Sequence, residues 1–475
     1  MAPDLDTANV KGSWEILDFD SQILAVHAAL LHTGDVLFFS GSGNNVANAH
    51  AHRLRTRVWR YPTAKFSRPR TPLDLFCCGH ALLPGGRLLA AGGTRRYDPF
   101  RGLPDALGFD PGRRRWMRLK DMHHPRWYPA LITLQDGRVA AVSGLGEGGR
   151  LVTESEVFEP GKGWKRLPPR STLPFYPHLT LLANGRVFYS GGYMGGAAGA
   201  TPDVWEPATG HVAAVPGLPM ANMRNQSASV LLPPAQDQRV MIMGGGGAAM
   251  PGHEMREPQV GTKSVAIADL SAAKPRYKAA KPLRHARMHH NVVLLPDRTV
   301  MVTGGASVQE HGVDAALEAE RFDPATGTWS RLAKSSVPRL YHSIALLCPD
   351  GRVITAGSNP RRGVEELRIE VFSPPYLFRG ARPSLQLARD TANYGDALKA
   401  TTSGALREVN LVRASATTHS SNSDQRLVAV AFTGSGSITL KLPADPRLAP
   451  PGWYMAFAVG KSGVPSTGQW LRLGP

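Results

Sequence analysis

One unit recurs seven times over the first three quarters of the chain: an apolar run, a tight turn, Arg or Asp, a second apolar run, and a small-Gly stop. The copies end at Ser40-Gly41, Gly92-Gly93, Ser143-Gly144, Gly191-Gly192, Gly244-Gly245, Gly304-Gly305 and Ala356-Gly357. Counted between first glycines, the spacings are 51, 52, 47, 53, 60 and 53 residues. Five copies place Thr33-Gly34-Asp35, Gly85-Gly86-Arg87, Asp136-Gly137-Arg138, Asn184-Gly185-Arg186 or Asp350-Gly351-Arg352 at the turn. Such pairs supply the positive φ that a tight hairpin requires. Phe109-Asp110-Pro111, Phe158-Glu159-Pro160, Trp205-Glu206-Pro207 and Phe322-Asp323-Pro324 then mark a third strand running into an outer turn. Each copy therefore reads as one four-stranded blade, and seven close a ring. A period of about 50 residues fits a kelch-type β-propeller, expected over residues 1–375.

At 475 residues and 42% apolar composition, the chain exceeds what one ordinary core supports. After Phe372-Ser373-Pro374-Pro375 the pattern changes to short alternating runs, EVNLVRA, RLVAVAF, SITLKL and GWYMAFAVG. Their spacing predicts an immunoglobulin-like β-sandwich over 376–475. Between the first two runs lies the polar hairpin ATTHSSNSDQR, whose His419 is placed to enter the channel.

The charge balance, 55 Lys and Arg against 37 Asp and Glu, gives +18. No block of five or six like charges appears, so the sequence predicts a dispersed basic surface and no specific nucleic-acid site. An anionic cell-surface polymer is the partner this surface suits best. Three cysteines, Cys77, Cys78 and Cys348, two of them adjacent, form no disulfide framework. The first residues lack the basic start and apolar run of a signal peptide, and no apolar window is long enough to span a membrane.

Equivalent residues of every blade must lie at equivalent places around the axis. The strand openings before the stops are His27; Cys77 to His80; Trp127-Tyr128; Tyr176-Pro177-His178; Asn225-Gln226; Met288-His289-His290; and Tyr341-His342. A structural ring has no need of these residues, so a cluster of His, Tyr and Cys is expected at one end of the channel. The adjacent pairs His123-His124 and His289-His290 lack the i, i+4 spacing of a helical zinc site. His289 or His290 is expected to line the pocket.

In the same order along the whole chain, Phe76-Cys77-Cys78-Gly79, Arg126-Trp127-Tyr128, Arg339-Leu340-Tyr341-His342-Ser343, Thr418-His419 with Gln425-Arg426, Pro451-Gly452-Trp453-Tyr454 and Gly463-Val464-Pro465-Ser466 resemble the copper radical oxidases. That family includes galactose oxidase and glyoxal oxidase; the bacterial glyoxal-oxidase-like branch is the nearer likeness. The resemblance implies an early-set C-terminal domain and one copper ion held by Tyr128, Tyr341, His342 and His419. It also implies a thioether between Cys77 and Tyr128, with Cys78 the rival for the link, and a radical stored on that tyrosine. Tyr341 takes the role of base. The implied reaction is two-electron oxidation of a small aldehyde hydrate or primary alcohol, with dioxygen reduced to hydrogen peroxide. A secreted or envelope-bound monomer is implied as well.

Imidazole and phenolate donors suit copper(II). Tyr341 and His342, however, are sequence neighbours, which an ideal strand points to opposite faces; both reach one metal only if the strand start is bent. The chain also departs from galactose oxidase, which stacks a tryptophan on its cross-linked tyrosine from just after the Gly-Gly of that blade. Here Ser143-Gly144-Leu145-Gly146 has no aromatic, and Trp127, Tyr176 and Tyr193 are the candidate shields. The alternative reading is a propeller scaffold that binds protein or polysaccharide without chemistry.

Overall fold

The computed structural model describes residues 5–195, 199–247, 259–310 and 312–474. Seven antiparallel sheets follow one another along the chain. Their inner strands are His27–Leu30, Gly79–Leu82, Ala130–Thr133, Leu179–Leu181, Ala228–Leu231, Asn291–Leu294 and Ser343–Leu347, which open blades 1 to 7. Each leads through a hairpin into a second strand and on toward the rim, so the architecture is the seven-bladed propeller. At the five glycine hairpins, Gly34, Gly86, Gly137, Gly185 and Gly351 have φ of 80–85°. Gln238 (φ 52°) and Arg298 (φ 65°) carry the left-handed turn in the two blades without such a glycine.

The core lies between blade faces. Ala81, Leu89 and Ala106 of blade 2 pack on Leu131, Val139 and Phe158 of blade 3. The other face of blade 3, Ile132, Ala140 and Val142, packs on Leu179, Val187 and Trp205 of blade 4. Alternation along each strand thus serves two cores, which explains why the inner strands read as continuous apolar runs.

Two segments outside the repeat complete the ring. Ser13–Asp20 forms the outer strand of blade 7 by pairing with Arg368–Ser373, with Trp14 opposite Phe372. Blade 7 is thereby stitched from both ends of the propeller segment. The second is Ala416–Thr418, which pairs with His27–Leu30 in the register His27 to Thr418 and Ala29 to Ala416. It adds a fifth strand inside blade 1.

That inserted strand comes from an immunoglobulin-like, early-set domain, whose eight strands form two layers. Leu427–Ser435 joins the layers: its first half pairs with Leu406–Arg413 and its second half with Ser437–Lys441. Leu398, Ala400, Ile438 and Leu440 pack there against Val409, Leu411, Ala456 and Ala458. The polar hairpin beyond Thr418 is tied into the propeller. Asp424 accepts hydrogen bonds from Leu82 N (2.9 Å) and Thr133 Oγ1 (3.1 Å). Gln425 exchanges hydrogen bonds with Leu294 N (3.2 Å) and Val292 O (3.0 Å), and Arg426 donates to Leu181 O. Four blades hold the hairpin, and so fix where His419 sits.

Candidate metal centre

Six blades start their inner strand from a non-glycine residue in the left-handed region: Cys77 (φ 61°), Tyr128 (62°), Tyr176 (40°), Gln226 (59°), His289 (58°) and His342 (62°). Each such residue costs on the order of 1–3 kcal/mol, and repetition of that cost around one ring marks a functional surface. Backbone hydrogen bonds link the kinks, from Tyr128 N to Cys77 O (2.9 Å), Tyr176 N to Tyr128 O (3.0 Å) and His289 N to Gln226 O (3.0 Å). The kink also lets sequence neighbours turn to one side of the strand. Tyr341 and His342, which a straight strand would separate, stack with ring centroids 3.7 Å apart.

His419, at φ 48° on the tip of the inserted hairpin, meets this ring from the opposite wall. The Cys77 Sγ and one ring nitrogen each of His342 and His419 lie within 4.8 Å of one another. The hydroxyls of Tyr128 and Tyr341 are in contact. Ring centroids of Tyr128, Tyr341 and His342 are 4.9, 5.5 and 4.7 Å from that of His419. All five residues that the sequence singles out therefore share one buried space.

Neighbouring groups orient both imidazoles. The Thr418 hydroxyl donates to Val26 O (2.9 Å) and so accepts from His419 Nδ1 (2.6 Å). Asn359 commits its amide nitrogen to Arg361 O (2.7 Å) and Val364 O (2.6 Å), which turns Oδ1 toward His342 Nδ1 at 3.2 Å. With the proton on Nδ1 in each ring, Nε2 carries the lone pair. Among the described residues, His342 Nε2 is buried without a protein partner, and His419 Nε2 has the Cys77 Sγ alone, at 3.8 Å. Two free imidazole lone pairs beside two phenols are a nitrogen and oxygen donor set suited to copper(II).

Burial drives the His342 pKa down to about 3. It also pulls His419 well below its ordinary value, helped by His342 and His27. Both are thus neutral, as ligands must be. Burial pushes the Tyr128 and Tyr341 hydroxyls up; a cation between them acts in the opposite direction. The Cys77 thiol is pushed up by burial, against a hydrogen bond with the Tyr128 side chain. Cys78 points into the core between blades 1 and 2, beside Leu37, Leu75 and Ala90. The Cys77 backbone N–H donates to His27 Nε2 (3.2 Å), which holds the kinked residue.

Trp127 lies flat on Tyr128 at 3.7 Å and 7°, and Phe100 lies on Trp127 at 4.3 Å and 14°. Tyr176 flanks Tyr128 at 4.6 Å and donates to Cys78 O. Tyr193 makes no ring contact with Tyr128 among the described residues. Of the paired histidines, His289 sits beside Tyr341, with ring centroids 5.1 Å apart. His290 lies near Arg287 and His178 instead. His123 is bound to Glu156, and His124 touches Glu154, at the outside of blade 3.

Asn359 and Phe100 escaped the sequence reading because each lies beyond a small-Gly stop, where the repeat carries no pattern. The buried arginines Arg126, Arg224, Arg287 and Arg339 escaped as well, although Arg126 and Arg339 open motifs quoted above. Their NH1 groups donate to the carbonyls of Ser143, Gly244, Gly304 and Gly357 at 2.7, 3.0, 2.7 and 3.0 Å.

The propeller, its inserted hairpin and the sandwich that carries it define a protein of the galactose oxidase-like class. Residues 382–473 match the galactose oxidase-like early set domain and residues 47–376 the glyoxal oxidase N-terminus. The chain belongs to the glyoxal oxidase family and is an oxidase of the copper-dependent kind. It is 27% identical to the aldehyde oxidase GLOX of Vitis pseudoreticulata over 98% of both chains. It is 25% identical to galactose oxidase of Gibberella zeae over 85% of this chain and 61% of that one. A fungal alcohol oxidase of the AA5 family, solved in complex with copper, superposes with a TM-score of 0.82 at 25% identity, over 98% of this chain and all of that one.

Proposed function

We propose that Tyr128, Tyr341, His342 and His419 hold the copper ion, and that Cys77 and Tyr128 become joined by a thioether. The enzyme then oxidises a small aldehyde hydrate or primary alcohol and returns both electrons to dioxygen as hydrogen peroxide. The observation that carries this reading is the convergence of two imidazole lone pairs, two touching phenols and one thiol in a single buried space. Copper, when bound, accepts one of the two electrons and favours ionisation of the phenols.

The remaining chemistry belongs to this chain's residues. Tyr341 Oη takes the proton of the substrate hydroxyl as general base. The Tyr128 phenoxyl oxygen takes a hydrogen atom from the substrate carbon, and so accepts the other electron. Trp127 and Phe100 cover one face of that ring and keep water from it, while Asn359 and Thr418 hold the imidazoles in the ligating tautomer. Action outside the cell or at its envelope, by a single chain, goes with this reading. So does attraction of the basic surface to an anionic cell-surface polymer. Among the described residues no helix is long and apolar enough to cross a membrane.

The test is a peptide mass spectrum before and after aerobic copper loading. Joining Cys77 to Tyr128 removes two hydrogen atoms and links their peptides. Cys77→Ser is expected to retain copper and lose peroxide formation. Copper uptake without a cross-link, or equal turnover by Cys77→Ser, rules out the radical centre.

A further inference from the structure

Between Asp35 and Asp74 the chain carries no acidic residue. Arg55, Arg57, Arg60, Lys65, Arg68 and Arg70 fall on the outermost hairpin of blade 1, built from Arg55–Trp59 and Phe66–Ser67. Val58 pairs with Ser67, so Arg57 lies opposite Arg68, and the same register continued sets Arg55 beside Arg70. At the turn, Arg60 N donates to Lys65 O (2.9 Å). Three like-charged rungs thus follow one another, and like charges directly opposite are destabilising. Arg57 and Arg68 share one neutral acceptor, Gln22 Oε1, at 3.0 and 3.3 Å. Among the described residues none of the six forms an ion pair, whereas Arg87, Arg114 and Arg118 of the next blade meet Asp110, Asp35 and Asp105. Glu365 feels the charge of Arg55 without pairing with it. Cations and proline on an edge strand discourage pairing with another sheet, which accounts for Arg68-Pro69-Arg70 but not for the arginines opposite them. A local rule broken without return inside the fold points to a functional surface.

From these rungs we infer that the outer hairpin of blade 1 docks the enzyme on a polyol-phosphate polymer, a chain of phosphodiesters without bases. The inference rests on the proposed attraction to an anionic cell-surface polymer and gives it a site and a chemistry. Guanidinium forks hold phosphate oxygens through paired hydrogen bonds, and residues two apart on a strand are spaced by about 6.6 Å. A linear polyol phosphate supplies one charge per short alcohol bridge, at a comparable interval. Nucleic acid carries the same backbone charge but also needs ring faces for its bases. Trp59 is buried, and Tyr61 and Phe66, both half-buried, pack on it with centroids 5.1 and 6.2 Å away, so the hairpin offers no stacking platform. Arg60, Lys65, Arg68 and Arg70 are exposed, and Arg55 and Arg57 half-buried. Phe39 pairs with both His27 and Thr56. The Arg55 end therefore lies at the blade end that carries the metal centre, and a docked polymer runs from there down the rim.

Binding of the copper-loaded protein to labelled poly(glycerol phosphate), polygalacturonate and single-stranded poly(dT) is to be read by fluorescence anisotropy at about 50 and 200 mM salt. Wild type is expected to bind poly(glycerol phosphate) most tightly. Arg68→Glu should weaken that binding by about 10-fold and flatten its salt dependence by one to two charges, roughly the share of one cation reversed. The same variant faces Arg57 with an opposite charge, so its melting temperature should hold or rise. A merely structural arginine would lose stability and binding together. Arg118→Glu makes the same change of net charge on the next blade and should leave binding within about 2-fold of wild type, since a distant exposed charge is screened. Peroxide formation should be unchanged in both. Equal weakening by the two variants, or binding to polygalacturonate or poly(dT) as tight as to poly(glycerol phosphate), overturns the docking site and leaves the attraction to polyanions standing. Failure of wild type to bind any of the three overturns both, while the oxidase reading is judged separately by peroxide.

Discussion

At the scale of single residues, the site depends on groups outside the proposed ligand set. Asn359 fixes His342 by spending both amide protons on carbonyls, so that only its oxygen can face Nδ1. Replacing it frees the ring to rotate or change tautomer, and loss of such a partner typically weakens metal binding 10- to 100-fold. Asn359→Ala is therefore expected to raise the copper dissociation constant by that factor, read by calorimetric titration, with a circular dichroism spectrum like that of wild type. An unchanged constant would remove Asn359 from the site. Trp127 shows a different economy. It stands next to Tyr128 in sequence, yet the left-handed kink at Tyr128 folds the two rings face to face. A family tryptophan contributed from another loop is thus replaced by a neighbour, and Phe100 backs it on the far side.

At the scale of elements, blades 3, 5, 6 and 7 are each locked by an arginine that reaches the carbonyl of its own small-Gly stop. Arg287 also pairs with Glu320 (2.9 Å), and both side chains are buried. Removing one partner of such a pair leaves an uncompensated buried charge, at a cost of about 3–5 kcal/mol. Arg287→Met should lower the urea midpoint accordingly; a shift worth under about 1 kcal/mol would show the pair to be dispensable. Seven stops and five glycine hairpins made the blades legible in the sequence, because a turn with positive φ narrows the residue choice. Ser13–Asp20 was not legible as a blade strand, since it has no stop and finds its partner more than three hundred residues away. Ala416–Thr418 was hidden likewise: three residues carry no period, and their place inside blade 1 is set by the sandwich behind them. The cluster of His, Tyr and Cys was legible as residue types at equivalent positions, whereas the bend joining Tyr341 to His342 needed coordinates.

At the scale of the whole molecule, the axis gathers seven buried histidines: His27, His80, His178, His289, His290, His342 and His419. Burial holds His80, His289 and His342 down to about 3 and His178 to about 4, and lowers His27, His290 and His419 well below the ordinary value. In the unfolded chain all of them titrate near pH 6.5. The unfolded state thus binds protons first as pH falls. The stability these neutral rings contribute is complete above about pH 6.5 and is lost progressively toward the folded values near 3 to 4. Each ring forfeits about 2 kcal/mol between pH 7 and pH 5. Several acting together rival the whole stability of a typical protein, about 5–15 kcal/mol. Metal-free protein is therefore expected to lose its cooperative thermal transition by about pH 5. If His342 and His419 hold copper as proposed, the ion competes with protons for them and should move that limit to lower pH. Melting curves followed by circular dichroism at half-unit pH steps, with and without copper, check both statements. A melting temperature that stays flat from pH 7 to pH 5 in the metal-free protein would mean that these histidines are solvated or paired, and not the neutral lining of a dry channel.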